Sequence, residues 1–159
     1  MALGLWPMLG WTQAPGIELR SSPRLQERLS PEENQSGATH VQAERVQARP
    51  DMDLLLDGGA VLRKPGLVIH ADRIEYDQTQ DRLKAQGHVR VNRQGNVFEG
   101  PQAELQLDAF EGRFETPRFT LPFGGYGQAQ SLDFIDPERM VVRRASYTTC
   151  TRRPGPSWL

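Results

Sequence analysis

The chain has 159 residues, of which 37% are hydrophobic and 25% are charged. This composition is typical of one globular domain with a modest core and excludes a disordered or membrane-embedded chain. Nineteen lysines and arginines against twenty aspartates and glutamates give a net charge of −1, so the chain lacks the overall positive field that attracts nucleic acid. Nucleic acid is therefore not an expected partner, although a local basic cluster could still bind a polyanion.

The first fourteen residues, MALGLWPMLGWTQA, are apolar almost throughout and end in small or polar residues. They resemble the hydrophobic part of a secretory signal and are too short to span a bilayer. Because no lysine or arginine precedes them, the sequence predicts a truncated signal peptide over 1–14, with an apolar tail as the alternative. Residues 15–40 are rich in Ser, Pro, Glu and Gln and predict a flexible linker. The rest contains no long apolar segment, so an exported, soluble body is expected.

From Val41 onward, short runs of Val, Ile, Leu, Phe and Tyr are separated by turn signals about every ten residues, which is typical of an all-β protein. Val89 and Val91 alternate with polar neighbours, as do Leu105 and Leu107, so each strand has one apolar and one solvated face. Turns are predicted at 49–51, 64–66, 77–81, 94–96, 108–112, 124–125 and 136–138. The sequence thus predicts an all-β domain over 41–159.

An internal repeat with a period of 28 residues accompanies these strands. Its first copy, Ala43, Val46, Gly59 and Val61, recurs as Ala71, Ile74, Gly87 and Val89. A weaker third copy includes Leu105 and Leu107. Chance in a β-rich sequence is one explanation, but the repeat favours a strand pair stacked on itself, a module that grows by adding rungs.

The run ADRIEYDQTQDRLKAQGHVRVNRQGNVFEGPQAELQL, residues 71–107, resembles the OstA-like domain of periplasmic lipopolysaccharide transport proteins. Its marks are A-D-x-I-x-Y-D, then A-x-G-x-V-x-V, then an apolar pair and a closing strand. The segments EGPQAELQLDAFEGRFETPRF, GGYGQAQSLDFID and ASYTTCTRRPGPSW follow in the order found in the LptD family of outer-membrane lipopolysaccharide assembly proteins. Residues 22–159 are therefore similar to the N-terminal periplasmic domain of that family.

The resemblance implies an OstA-like β-jellyroll of stacked, mostly antiparallel strands, V-shaped and open-ended. In the family its groove conducts lipid A acyl chains toward a C-terminal β-barrel. The sequence in hand does not include that barrel, so a fragment or a broken reading frame with a jellyroll incomplete at its C-terminus is expected. The implied partners are lipopolysaccharide, a periplasmic bridge protein of OstA-like fold joined by edge-strand addition, and the outer-membrane barrel with its plug lipoprotein. The implied location is the periplasmic face of the outer membrane of a Gram-negative bacterium.

An apolar slot suits a lipid because each methylene exposed to water costs about 0.8 kcal/mol. Stacked strands can line such a slot with alternate side chains while their backbone groups stay paired. The residues predicted to face inward are Ile74, Tyr76, Leu83, Ala85, Val89, Val91, Val97, Leu105, Leu107, Phe114, Phe119, Leu132 and Phe134. The residues alone favour a closed core for this set, whereas the resemblance favours a lipid-binding groove.

Four basic residues, Arg63, Lys64, Arg90 and Arg93, are candidates for binding the lipid's phosphates at a rim of the groove. A solvated charged face is the alternative interpretation of the same residues.

Cys150 is the only cysteine, and a lone cysteine in an exported chain suggests a partner outside the sequence. The resemblance implies a disulfide between Cys150 and a cysteine of the barrel, while the family's other N-terminal cysteine has no counterpart here. A buried free thiol is the alternative. Trp158 is expected to act as an aromatic anchor near the junction.

Catalysis has no support in the sequence, and no metal or cofactor is expected. The three histidines lack metal-ligand spacing, and there is no G-x-S-x-G motif or Gly-rich phosphate loop. His70 and Asp72 could face the same way from one strand, although a solvated pair is the simpler interpretation. The remaining alternatives to transport at the outer membrane are a soluble lipopolysaccharide bridge protein and a structural β-stack without a lipid ligand.

Overall fold

The computed structural model describes residues 39–149, and its regular elements are all β-strands. The strands are β1 His40–Gln42, β2 Arg45–Arg49, β3 Asp53–Lys64, β4 Leu67–Asp77, β5 Arg82–Arg93, β6 Asn96–Gln106, β7 Glu111–Glu115, β8 Arg118–Thr120, β9 Tyr126–Gln128, β10 Ser131–Phe134, β11 Met140–Arg143 and β12 Ser146–Thr148. Within residues 39–149, no helix has the length and apolarity needed to cross a lipid bilayer. The predicted signal segment, nearly all of the predicted linker, Cys150 and Trp158 lie outside the described residues.

All strand pairs are antiparallel, so the predicted all-β class is confirmed. The long strands β3, β4, β5 and β6 form a meander in which each pairs with the next. Each of the seven predicted turn regions includes residues of a link between consecutive strands. The turn chemistry of the sequence therefore divides the chain at the correct places.

Each long strand is bent near its middle by an irregularity in the pairing. The register shifts between Asp57 and Ala60 in β3, between His70 and Arg73 in β4, and between Gln86 and Val89 in β5. Gly58 and Gly87 lie in these bulges with φ of 80° and 71°, a conformation that glycine adopts without steric cost. Because the bulges lie side by side, the sheet bends along one line, which we call the corner.

The corner divides the sheet into two layers. The first layer pairs in the order β2-β3-β4-β5-β6-β7-β10-β11, and its parts of the long strands are 53–57, 73–77, 82–86 and 102–106. The second layer pairs in the order β1-β3-β4-β5-β6-β8-β9-β12, and its parts of the long strands are 60–64, 67–70, 89–93 and 96–99. Each passage of the chain through both layers therefore makes one rung of the stack.

The 28-residue repeat corresponds to two rungs. Gly59 in β3 and Gly87 in β5 both lie at the corner, and β3 and β5 run in the same direction because β4 is antiparallel to each. Val46 and Ile74, which are also 28 positions apart, face the same interior, since both pair across to Leu56. Residues one repeat apart therefore occupy equivalent positions in the stack, on strands that run in the same direction.

One core lies between the two layers. Leu56, Ile74 and Phe114 of the first layer and Leu62 and Ile69 of the second are fully buried in it. The rings of Phe98 from the second layer and Phe134 from the first meet edge to face, with centroids 5.1 Å apart, a favourable aromatic geometry. The layers therefore pack directly against each other.

Candidate functional site

The interior between the layers contains most of the residues predicted to line a groove. Eleven of them are at most 8% exposed, namely Ile74, Leu83, Ala85, Val89, Val91, Leu105, Leu107, Phe114, Phe119, Leu132 and Phe134. Tyr76 is partly buried and packs against the same core. Their contact with a lipid stays a prediction, but their side chains form one continuous apolar interior.

Val97 lies elsewhere, and its predicted inward orientation is wrong. It pairs with Asn92 and Thr120 on the outer face of the second layer, while its neighbour Phe98 pairs with the buried Val91. The reason is a shift in β6 at Gly100 and Pro101: the inward positions are odd-numbered at Ala103 and Leu105 but even-numbered at Phe98. Strict alternation continued from Leu105 therefore assigns the wrong face before the corner.

Nine further residues of the core were not assigned by the sequence analysis: Leu56, Ala60, Leu62, Leu67, Ile69, Ala71, Phe98, Ala103 and Phe110. A usable signal existed for some of them, because Leu56 ends the apolar run Leu54–Leu56 in DLLLDGG and Ala103 precedes Leu105 by two positions. No periodic signal marks Phe110, which lies in a turn.

The side of the interior opposite the corner, which we call the mouth, is covered by the turn between β6 and β7. Leu107 and Phe110 of this turn are buried. The Phe110 ring lies 4.9 Å from the ring of Phe134, and Phe110 adopts a φ of 50°. The turn therefore places two apolar side chains over the interior at the ends of the strands farthest from the corner.

Two cations of the second layer contact this part of the first layer. Lys64 Nζ lies 2.8 Å from Asp108 Oδ1, and the guanidinium carbon of Arg93 lies 3.9 Å from the centroid of the Phe110 ring. Arg93 Nη1 also donates a hydrogen bond of 2.6 Å to the carbonyl of Pro137. The Arg93 guanidinium is partly removed from water, and this burial lowers its pKa.

Asp81 fixes the same turn to its own layer. Its Oδ2 accepts a hydrogen bond of 2.7 Å from the backbone N–H of Asp108, and its Oδ1 accepts one of 2.9 Å from the hydroxyl of Tyr76. Burial and this hydrogen bond raise the pKa of Tyr76, so the phenol stays protonated and can donate.

The other two basic rim candidates are on the outer face of the second layer. Arg63 pairs with Val68, and Arg90 pairs in register with Glu99, to which its guanidinium also donates. Only two of the four candidates, Lys64 and Arg93, therefore lie at the mouth of the interior.

His70 and Asp72 would face the same way only if β4 continued as a regular strand between them. The bulge in β4 separates them, and Asp72 Oδ2 lies 2.8 Å from Nδ1 of His88 instead. Both side chains of that pair are largely exposed. Across residues 39–149, no group of three or more His, Cys, Asp or Glu side chains could hold a metal ion.

The two ends of the stack expose side chains that point inward. Val46 on β2 and Tyr147 on β12 occupy inward rows, yet they are 48% and 57% exposed. Among the described residues, the outer edges of β1, β2, β11 and β12 pair with no further strand. Unpaired edges of this kind are templates for another strand.

Comparison with known proteins agrees with this architecture, although no family model matches the chain. Over 146 residues the chain is 50% identical to "LPS-assembly protein LptD" of Albidiferax ferrireducens, a match that covers 91% of this chain and 18% of that protein. It is 45% identical over 153 residues to the LptD of a Polaromonas species, covering 96% of this chain and 18% of the relative. The chain belongs to the LptD family. It spans about a fifth of the length of these LptD relatives.

More distant LptD proteins match as well: that of Burkholderia lata is 33% identical over 167 residues, covering 98% of this chain and 21% of the relative. Among solved structures, the fold is similar to LptH from Pseudomonas aeruginosa, the LptA-homologous periplasmic component of a lipopolysaccharide transport device. The TM-score is 0.58 at 9% identity, over 79% of this chain and 93% of LptH. This similarity is one of fold, and it confirms the predicted β-jellyroll.

Proposed function

We propose that this part of an LptD protein takes part in lipopolysaccharide transport and assembly by holding lipid A acyl chains between its two layers. The observation that carries the proposal is the continuous apolar interior, lined by both layers along the stack. An acyl chain of about twelve carbons costs on the order of 10 kcal/mol to expose to water, so it needs a continuous apolar path. The names of the LptD relatives and of LptH support the same substrate class.

Lipid binding requires the layers to separate. The inward side chains of the middle rungs are at most 8% exposed, so an acyl chain enters only when the contacts between the layers are replaced. Methylene groups of the lipid would replace side-chain contacts of the same apolar kind, which keeps the exchange from exposing much apolar surface to water. The corner is the natural hinge for this motion because each long strand is already bent there.

Two neighbouring residues of β6 provide a direct test of the interior. Leu105 is 1% exposed and faces the core, whereas the Glu104 side chain is 44% exposed and forms an ion pair with Arg82 on the outer face. With a photocrosslinking amino acid at either position, we expect lipopolysaccharide adducts at Leu105 and none at Glu104. The adducts are detected by immunoblotting after irradiation with purified lipopolysaccharide. Equal labelling at the two sites would rule out the assignment of the interior as the lipid site.

The partner we propose is a periplasmic protein of the same fold that adds a strand to an end rung. Such a strand would pair the free backbone edge and cover the exposed inward side chains. The two apolar interiors would then join end to end, and the chain would act at the periplasmic face of the outer membrane. The barrel with its plug lipoprotein and the disulfide of Cys150 stay predictions of the family resemblance.

Adjacent residues of β2 test this edge. Val46 faces inward and Gln47 faces outward, so aspartate at Val46 would carry a buried, unpaired charge once another rung covers it. We expect Val46→Asp to weaken binding of a purified OstA-like bridge protein at least about tenfold, while Gln47→Asp has little effect. Surface plasmon resonance measures both dissociation constants. Unchanged affinity in Val46→Asp, or an equal loss in Gln47→Asp, would exclude β2 as the docking edge.

A further inference from the structure

The inward row of the second layer that lies nearest the mouth is cationic. Lys64 follows Leu62 by two positions on β3, and Arg93 follows Val91 by two positions on β5, so each lies on the inward face of its strand. Both pair in register with Leu67. The Lys64 side chain is only 23% exposed. On β3 and β5, the inward positions therefore change from apolar side chains to positive charges at the mouth of the interior.

The contacts of these cations join the two layers. Lys64 contacts Asp108, and Arg93 contacts Phe110 and the carbonyl of Pro137, all three on turns of the first layer. Asp81 holds the backbone of Asp108 to the first layer. When the layers separate, the turn therefore stays with its own layer, and the cations lose these partners.

We infer that Lys64 and Arg93 form a latch that closes the mouth, and that the same two residues bind an anionic phosphate of the lipid when the mouth opens. This inference rests on the proposed function. Acyl chains that pack against Leu62 and Val91 would bring a phosphate at the head of the lipid to the two cations. The phosphate then takes the places of the Asp108 carboxylate and the Pro137 carbonyl. Lys64 and Arg93 thus contact the first layer when the mouth is closed and the phosphate when it is open.

The latch is tested without lipid, by the rate at which buried thiols are alkylated. The test uses the full chain carrying Cys150→Ser. Leu105→Cys places a thiol at the last inward position of β6 before the turn that covers the mouth, and Ala103→Cys places one on the same strand nearer the corner. Adding Asp108→Asn removes the charge that Lys64 contacts and keeps the backbone N–H that Asp81 accepts. We expect alkylation at position 105 to become about two- to fivefold faster, with no change at 103. An unchanged rate at 105, or an equal increase at both positions, would overturn the latch.

The phosphate site is tested with photocrosslinker at Leu105 and two lipids, intact lipopolysaccharide and its dephosphorylated form. We expect the parent chain to prefer the phosphorylated lipid about tenfold, and Lys64→Met or Arg93→Met to lose that preference while still labelling with the dephosphorylated lipid. Arg90→Met, which removes a cation from the outer face of the same strand as Arg93, is the matched control and should keep the preference. Adducts without any preference in the parent would overturn the phosphate site and leave the proposed function standing. Absence of adducts with both lipids would overturn both.

Discussion

Replacing Gly112 by alanine is expected to destabilise the fold by about 3 kcal/mol or more. Gly112 lies on β7 opposite Leu105 with a φ of 148°. Residues that carry a Cβ atom rarely adopt this backbone conformation. A Cβ atom there would lie 2.1 Å from the carbonyl oxygen of Glu104 and 2.8 Å from the Cα of Leu105. Because both contacts are with backbone, β6 and β7 would have to move apart. Urea denaturation followed by circular dichroism measures the free energy of unfolding.

Gly59→Ala is the matched control for this change. Gly59 also has a positive φ, 54°, but a Cβ atom there would meet no atom within 4 Å. Only the backbone preference is lost, so we expect a cost of about 1 kcal/mol. A Gly112→Ala protein as stable as Gly59→Ala would contradict the close approach of β6 and β7.

Phe98→Ala is expected to cost about 3–5 kcal/mol of unfolding free energy, because it removes a buried ring that joins the two layers. Phe98 is 2% exposed and packs edge to face on Phe134 of the opposite layer. Phe123, which is 98% exposed, supplies an aromatic control, and Phe123→Ala should change stability by less than about 0.5 kcal/mol. Both values come from the same denaturation experiment. A cost below about 1 kcal/mol for Phe98→Ala would mean that the layers do not depend on this contact.

Local signals in the sequence were sufficient to predict the all-β class, the turns and eleven residues of the interior. Turn residues such as Pro65 and Gly66 mark the ends of strands, and alternation places Leu83 and Val91 on the apolar face. The family resemblance supplied what alternation lacks, namely the jellyroll in which these faces meet. The family and the fold that the resemblance implied agree with the LptD relatives and with the fold of LptH.

The parts that sequence reasoning missed depend on the corner and on distant contacts. Alternation holds only within one layer, so a shift at Gly100 and Pro101 sufficed to turn Val97 outward. The contacts across the mouth join residues 44 positions apart, Lys64 with Asp108 and Arg93 with Pro137. No local pattern encodes such pairs, because they exist only after both layers have formed.

The pair of rungs that repeats every 28 residues separates the length of the stack from its cross-section. Neighbouring strands lie about 4.8 Å apart, so inserting one such unit would extend the stack by about 10 Å and leave its cross-section unchanged. The length of such a stack can therefore change in discrete steps, by gain or loss of repeats, while the side chains that line its interior stay the same.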